Sequence, residues 1–326
     1  MLPHIAIIGA GNLGSRHLQG LNQINRKISI SVIDPNKYSL ETAKKRFDKK
    51  KINKFIKSIS YATKMNKLKG NIDLVIIATN ADVRKVVIEK LLNRVSVRYM
   101  VLEKVAFQSV RDFRTVIALL EANDTKAWVN CTRRMYPFYR LLKAKLKTDN
   151  NISMQVEGGD WGLASNSIHM LDLFAFLTGE TQLVIDASGL DLKIYRSKRK
   201  DFIELGGKLE ASSNRGDQLI LIDDKKSRKP ALQQIASDNH RYFINQSKGT
   251  VSFSHKKNGW KKKEEVFVVP HQSELTHLVV QQIMDNGQSY LTSLKESFLL
   301  HKPMFDAYNT HLTSVVGKDY EVCPIT

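Results

Sequence analysis

The chain has 326 residues, 42% of them hydrophobic and 25% charged, and its 51 Lys and Arg against 32 Asp and Glu leave a formal net charge of +19. This is the balance of a globular protein long enough for two domains, each with its own core. It excludes a membrane span, because no apolar run is long enough, and it suggests neither a disulfide framework nor a zinc site, because the only cysteines are Cys131 and Cys323, far apart in sequence and without metal-ligand spacing.

The first element is His4-Ile5-Ala6-Ile7-Ile8, a short apolar run that reads as a buried parallel strand, followed by Gly9-Ala10-Gly11-Asn12-Leu13-Gly14. Leu13, Leu18, Leu21 and Ile24 then fall close to one face of a helix. A G-x-G-x-x-G between strand and helix is the dinucleotide fingerprint. Gly9 permits the tight turn, Gly11 lets a pyrophosphate approach, and Gly14 lets the helix pack on the strand, with the helix N-terminus facing the anion. Ile28 to Ile33 reads as the second strand, and Asp34 closes it 20 residues after Gly14, where the motif expects an acid for the ribose hydroxyls. The expected cofactor is NAD, held by Gly9, Gly11, Asn12, Leu13, Gly14 and Asp34.

A basic helical stretch from about Ser39 to Lys50 and a poorly patterned segment through Gly70 come next. Asn71 to Asn80 reads as a buried strand ending in a polar loop. Ligands of doubly wound sheets lie at the carboxyl ends of strands, so Thr79 and Asn80 are candidate cofactor contacts; the alternative is an N-cap for a helix starting near Asp82. That helix runs through Val83 to Leu92, and Tyr99 to Leu102 is a strand ending in Glu103-Lys104, again polar residues at a carboxyl end. Val110 to Glu121 reads as a helix, Ala127 to Asn130 as a strand, and Arg133 to Pro137 as the lead into a helix ending near Lys147. Strands alternating with helices predict a doubly wound parallel sheet, a Rossmann domain over residues 1–125.

Residues 126–326 have a different rhythm. Ile152 to Glu157 alternates as a strand does, and Ser165 to Leu177 is one long helix before Gly179. Strand-like runs follow at Leu183 to Ala187, Leu190 to Tyr195, Phe202 to Glu210, Leu219 to Ile222, Arg241 to Asn245, Val251 to His255 and Val266 to Val269. Lys248-Gly249 and Asn258-Gly259 supply turns. The expectation is an α+β domain for substrate and oligomerisation with a mostly antiparallel open-faced sheet. Leu275 to Met284 and Ser293 to Tyr308 close the chain as helices, the last expected to pack back on the first domain.

With these elements in place, the chain resembles the glucose-fructose oxidoreductase and inositol dehydrogenase family, Gfo/Idh/MocA. Gly9-x-Gly11-x-x-Gly14-x-x-His17 is similar to its first motif, Glu103-Lys104 to its Glu-Lys-Pro, and Gly158-Gly159 through His169-Met170-Leu171-Asp172 to its histidine-bearing helix. The resemblance implies NAD-dependent hydride transfer at a secondary hydroxyl of a sugar, cyclitol or nucleotide-sugar, with surface polysaccharide biosynthesis as a setting. It places Glu103 and Lys104 at the cofactor, and Lys104 and His169 at the chemistry. It also implies a homodimer or homotetramer joined through the open sheet face. Two positions depart from the family pattern: its proline is Val105 here, and the acid four residues before the histidine is Ser165.

Hydride transfer from an alcohol needs a base for the hydroxyl proton and positive charge near the developing alkoxide; His169 suits the first and Lys104 the second. Ser165, His169 and Asp172 share a helix face, so Asp172 is the candidate carboxylate to orient His169. The alternative is a histidine satisfied within the core beside Ile168, Leu171 and Phe174. Arg134, Trp161 and Asn166 flank the motifs and are candidate substrate contacts; the competing readings are a solvated loop charge, a packed aromatic and a helix-start hydrogen bond. The basic runs at Lys44 to Lys51, Arg196 to Lys200, Lys225 to Lys229 and Lys256 to Lys263 are scattered and framed by no nucleic-acid module, which favours a solvated surface and an anionic small-molecule substrate over nucleic acid. The N-terminus lacks signal-peptide features, so a cytoplasmic location is expected. The competing function is a non-catalytic dinucleotide sensor of the same fold, supported by the missing acid at Ser165.

Overall fold

The protein is described by a computed structural model covering residues 2–49 and 51–326. Lys50, expected to end the second helix, lies outside the described residues. The chain divides into two compact units: Met1–Phe107 with Arg111–Thr132 and Pro270–Lys295, and Gln108–Val110 with Arg133–Val269 and Glu296–Thr326.

The first unit opens with β1 (His4–Ile8), α1 (Asn12–Leu21), β2 (Ile28–Ile33), α2 (Lys37–Asp48), β3 (Ile56–Ala62), β4 (Asn71–Ile77), α3 (Ala81–Leu92), β5 (Ser96–Leu102), α4 (Val110–Ala122) and β6 (Lys126–Val129). The strands pair in parallel in the order β6-β5-β4-β1-β2-β3. β1, β4 and β5 are buried almost throughout, as a parallel sheet covered on both faces requires. β3 was hidden in the poorly patterned segment because it is an edge strand: its lysine and serines face outward and suppress the apolar signal.

The second unit holds α5 (Pro137–Leu146), β7 (Ser153–Gly158), α6 (Leu163–Thr178), β8 (Leu183–Asp186), β9 (Tyr195–Arg196), β10 (Ile203–Glu204), β11 (Gly207–Ser213), β12 (Gln218–Asp223), β13 (Leu232–Ala236), β14 (His240–Asn245), β15 (Thr250–His255) and β16 (Lys263–Val266). Its large sheet has the order β16-β15-β14-β13-β7-β12-β11-β8, antiparallel at every pairing except β7 with β12. One face buries Met154, Val156, Leu219, Ile235 and Tyr242, while Ser153, Glu157, Gln234, Arg241 and Phe243 on the other are exposed.

Several expected strands shift. Leu190 to Tyr195 is mostly loop, Leu192 being 80% exposed; Leu190 makes a single antiparallel bridge with Gly207, and Tyr195–Arg196 pairs with Ile203–Glu204. The run from Phe202 to Glu210 breaks at Gly206 and Gly207, where Gly207 adopts φ +93°. The last strand is Lys263–Val266, not Val266 to Val269, and is exposed throughout. β13 carries a weak apolar signal because its inward residue Gln233 is polar, accepting from Tyr139 Oη at 2.6 Å.

The chain ends with α7 (Gln272–Asn286), β17 (Thr292–Ser293) and α8 (Leu294–Val316). β17 pairs antiparallel with β6 and completes the first sheet. β6 and α7, both beyond the expected boundary at residue 125, thus count with the first unit. Within the first unit α7 lies against α1. A Cβ on Gly20 would come within 2.7 Å of Thr276 Cβ, so glycine sets that helix approach. From Glu296 onward α8 counts with the second unit. Among the described residues no helix is long and apolar enough to cross a membrane.

Candidate dinucleotide and active site

The glycine loop joins β1 to α1, and its three glycines differ in what surrounds them. Gly9 has φ +94°, and a Cβ there would meet Ala78 C at 2.8 Å. A Cβ on Gly14 would lie 1.8 Å from Gly9 O, whereas one on Gly11 meets nothing within 4 Å. Two glycines are therefore needed by the chain itself and the third borders open space. Gly11 is also the N-cap of α1, no side chain caps that end, and its first turn carries no acid. The positive end of the helix dipole therefore lies at the glycine loop. From α2, Arg46 Nη1 donates to Ser15 Oγ at 2.7 Å and to Asn12 Oδ1 at 3.3 Å, adding a cation beside the helix start.

Asp34 lies at the carboxyl end of β2, as expected, and is tied to the loop: Oδ2 accepts from Ala10 N at 2.7 Å and Oδ1 from Asn36 N at 2.8 Å. A carboxylate offers about four acceptor sites, so acceptor capacity remains for a ribose diol. Thr79 follows β4, and its buried Oγ1 has no hydrogen-bond partner among the described residues. Asn80 takes the N-cap position of α3 but its side chain does not cap, so the helix-cap reading does not account for it. An open cradle, an uncapped helix start, an anchored acid and an orphaned hydroxyl fit a dinucleotide.

Glu103 turns inward from the end of β5. It is 4% exposed, and Oε1 accepts from Asn130 Nδ2 at 2.6 Å and meets His17 Nε2 at 2.8 Å. His17 Nδ1 in turn meets Thr276 Oγ1 at 3.0 Å. Burial pushes the Glu103 carboxyl up, but the hydrogen bond and charge of His17, with Asn130 and Arg84, outweigh it and hold the group below its ordinary value. The adjacent Lys104 is only half-buried, and its peptide bond to Val105 is cis.

In the second unit α6 is buried along nearly its whole length. Its partly exposed positions are Ser165, Asn166 and His169, which share one side. His169 therefore belongs to the helix's accessible strip rather than to the core. The N-terminus of α6 is held by two carboxylates: Asp223 accepts from the backbone of Trp161, Gly162 and Leu163, and Glu204 Oε2 from Ala164 N at 3.0 Å and Ser165 N at 3.4 Å.

Asp172 does not orient His169 by hydrogen bonding. Its Oδ2 accepts from Arg134 Nε at 2.8 Å and its buried Oδ1 has no hydrogen-bond partner among the described residues, because the guanidinium offers a stronger charge-assisted bond than an imidazole. Arg134 is not a solvated charge: it is 6% exposed, and its Nη2 also reaches Glu296 Oε1 at 2.9 Å. Trp161 Nε1 donates to Ile222 O and Asn166 Nδ2 to Trp161 O, both at 2.8 Å, which gives Asn166 its helix-start role. Among the described residues no group of three His, Cys, Asp or Glu could hold a metal ion.

Sequence reasoning missed Arg84, Arg46, Asn130, Glu204 and Asp223. A signal existed for Arg84: it falls with Ala81, Ile88 and Leu91 on the buried face of α3, where the helical period calls for an apolar residue. Nothing in the local sequence marks the others, because their partners lie far along the chain.

Comparison with known proteins finds solved structures of the same fold. The solved structures most like this chain include an oxidoreductase from Agrobacterium radiobacter in complex with NAD+, L-tartaric acid and magnesium (14% identity, 98% of each chain, TM-score 0.71). They also include UDP-N-acetylglucosamine 3-dehydrogenase from Acidithiobacillus ferrooxidans (13% identity, 94% of this chain and 97% of that one, TM-score 0.71). A third is a super-repressor mutant of Gal80p from Saccharomyces cerevisiae (13% identity, 96% and 97%, TM-score 0.70). Comparison with curated proteins returns no match. Residues 4–131 match the model of the Gfo/Idh/MocA family, described as "Oxidoreductase family, NAD-binding Rossmann fold".

Proposed function

We propose that the protein is an NAD-dependent oxidoreductase acting on a secondary hydroxyl of a sugar, cyclitol or nucleotide-sugar. The observation that carries this reading is the open cradle at Gly11 in the same unit as Lys104, each at the carboxyl end of a strand of one parallel sheet. The resemblance of the fold to UDP-N-acetylglucosamine 3-dehydrogenase supports the substrate class. When bound, the nicotinamide supplies the acceptor or donor of hydride. Gly9, Gly11, Asn12, Leu13 and Gly14 present the backbone for its pyrophosphate, Asp34 accepts from ribose hydroxyls, and Thr79 and Asn80 border the same strand ends. The Lys104 ammonium stabilises negative charge on the substrate oxygen, and His169 takes or returns the hydroxyl proton. Arg134 and Asp172 act at one remove, fixing α6 from within the second unit.

The exposed sheet face, with Leu232 and Phe243 about half exposed, is the surface through which a homodimer or homotetramer would form. A second reading, a non-catalytic dinucleotide sensor, is favoured by Ser165 in the acid's place and by the likeness to a Gal80p super-repressor. A screen of sugars, cyclitols and nucleotide-sugars by NADH absorbance separates the two. Turnover of one class supports the enzyme. Tight NAD binding with no turnover anywhere supports the sensor.

A further inference from the structure

Arg84 is among the largest fully buried side chains of the protein, at 1% exposure. Burying a guanidinium is costly unless its donors are satisfied, and here its two terminal nitrogens both donate to backbone oxygens of two particular loops. Nη1 donates to Glu103 O at 2.6 Å, to Ala106 O at 2.8 Å and to Val105 O, while Nη2 donates to Thr79 O. The first three oxygens belong to the loop after β5 and the fourth to the loop after β4. Arg84 itself stands in the first turns of α3, a rigid element, so helix, β4 loop and β5 loop are joined through one planar group.

Lys104 lies between two of the residues whose carbonyls are held. With the Glu103 and Val105 oxygens both directed at Nη1, the backbone on either side of Lys104 is fixed, and with it the direction in which its side chain leaves the loop. We propose that Arg84 is a positioning residue that locks the Glu103–Ala106 loop to Thr79 and thereby sets where the Lys104 ammonium is presented. This rests on the reading of Lys104 as a site residue. A lysine at position 84 keeps the charge but has a single donor nitrogen on a flexible stem, and it cannot reproduce a planar fork spanning two loops.

The decisive experiment reads Lys104 directly and needs no substrate. Wild type, Arg84→Lys and Arg84→Met are acetylated over a pH series, and the rate at each lysine is mapped by peptide mass spectrometry. The Lys104 rate in folded variants should change about tenfold, the equivalent of one pKa unit, while the exposed Lys67 and Lys90 keep wild-type rates. A wild-type Lys104 rate in either folded variant overturns the proposal. Failure of both variants to fold overturns it too, because Arg84 then serves stability alone. Once a substrate is found, Arg84→Lys should lower kcat about 10- to 100-fold and cost nothing further in a Lys104→Ala background; independent, multiplicative losses would contradict the positioning role. Absence of any turnover refutes the proposed enzyme and leaves the labelling result to decide the role of Arg84.

Discussion

Replacing Gly11 with valine should abolish dinucleotide binding and spare the fold. The backbone at Gly11 has φ −64° and ψ −159°, which any residue adopts, and an added Cβ meets no atom within 4 Å. The cost to stability is that of a poor N-cap residue, about 1 kcal/mol, part of which the stiffer unfolded chain returns. The cost to binding is larger. A pyrophosphate kept off the loop forfeits two charge-assisted backbone hydrogen bonds at about 1.5–3 kcal/mol each, which lowers affinity at least about 100-fold. Gly14→Ala is the contrast: its Cβ would sit 1.8 Å from Gly9 O, so it should destabilise the unit by about 3 kcal/mol or more. Circular dichroism, thermal melting and calorimetric titration with NAD on both variants check this. A folded Gly11→Val that binds NAD like wild type would refute the reasoning, as would a Gly14→Ala that melts like wild type.

NAD should bind better than NADP, since Asp34 opposite a 2′-phosphate at about 4 Å costs roughly 4 kcal/mol per charge pair at an effective dielectric near 20. Asp34→Ala should narrow the gap, and equal affinities in wild type would contradict it. The pH dependence of stability should have two limbs of opposite sign. Glu103, held below its ordinary 4.5, stabilises above that pH and its contribution is lost as pH falls through the lower folded value. Burial pushes the Asp172 carboxyl up to about 6 against Arg134, so its contribution is complete below 3.8 and lost as pH rises through about 6. In thermal melts, Glu103→Gln should flatten the acid limb and Asp172→Asn the limb between 3.8 and 6; unchanged slopes would show that neither group carries the linkage. Arg134→Met strands a buried carboxylate and should cost about 3–5 kcal/mol, most of it recovered in Arg134→Met/Asp172→Leu; urea unfolding measures both. A stable Arg134→Met with a raised substrate KM would instead make Arg134 a substrate contact.

What could be read from the sequence was whatever depends on neighbours along the chain. The first strand, the glycine loop and Asp34 are one local unit of turn geometry and apolar patterning, to which the structure adds that Gly11 borders open space, that Asp34 is tied to the loop and that Arg46 lies beside the helix start. The same holds for α6, whose continuous apolar run announced a buried helix. What could not be read depends on distant partners. Asp172 was matched to His169 because both lie on α6, yet it pairs with Arg134, 38 residues away. Glu103 looked like a site residue by its place after β5, yet its carboxylate is taken by His17 and Asn130. α7 returns to the first unit from residue 272, and no local signal distinguishes a helix that does so from one that does not. β3 and β13 were obscured by lysine, serine and glutamine at positions where edge location or a buried hydrogen bond tolerates them.

The central claim is that Lys104 and His169 serve one NAD-dependent reaction, and the most direct measurement is the rate of NADH absorbance change with the best substrate for wild type, Lys104→Ala and His169→Ala at saturating cofactor. The account predicts a loss in kcat of about 10²- to 10⁴-fold in each variant, with NAD affinity little changed in His169→Ala. Wild-type turnover surviving in both variants would contradict it.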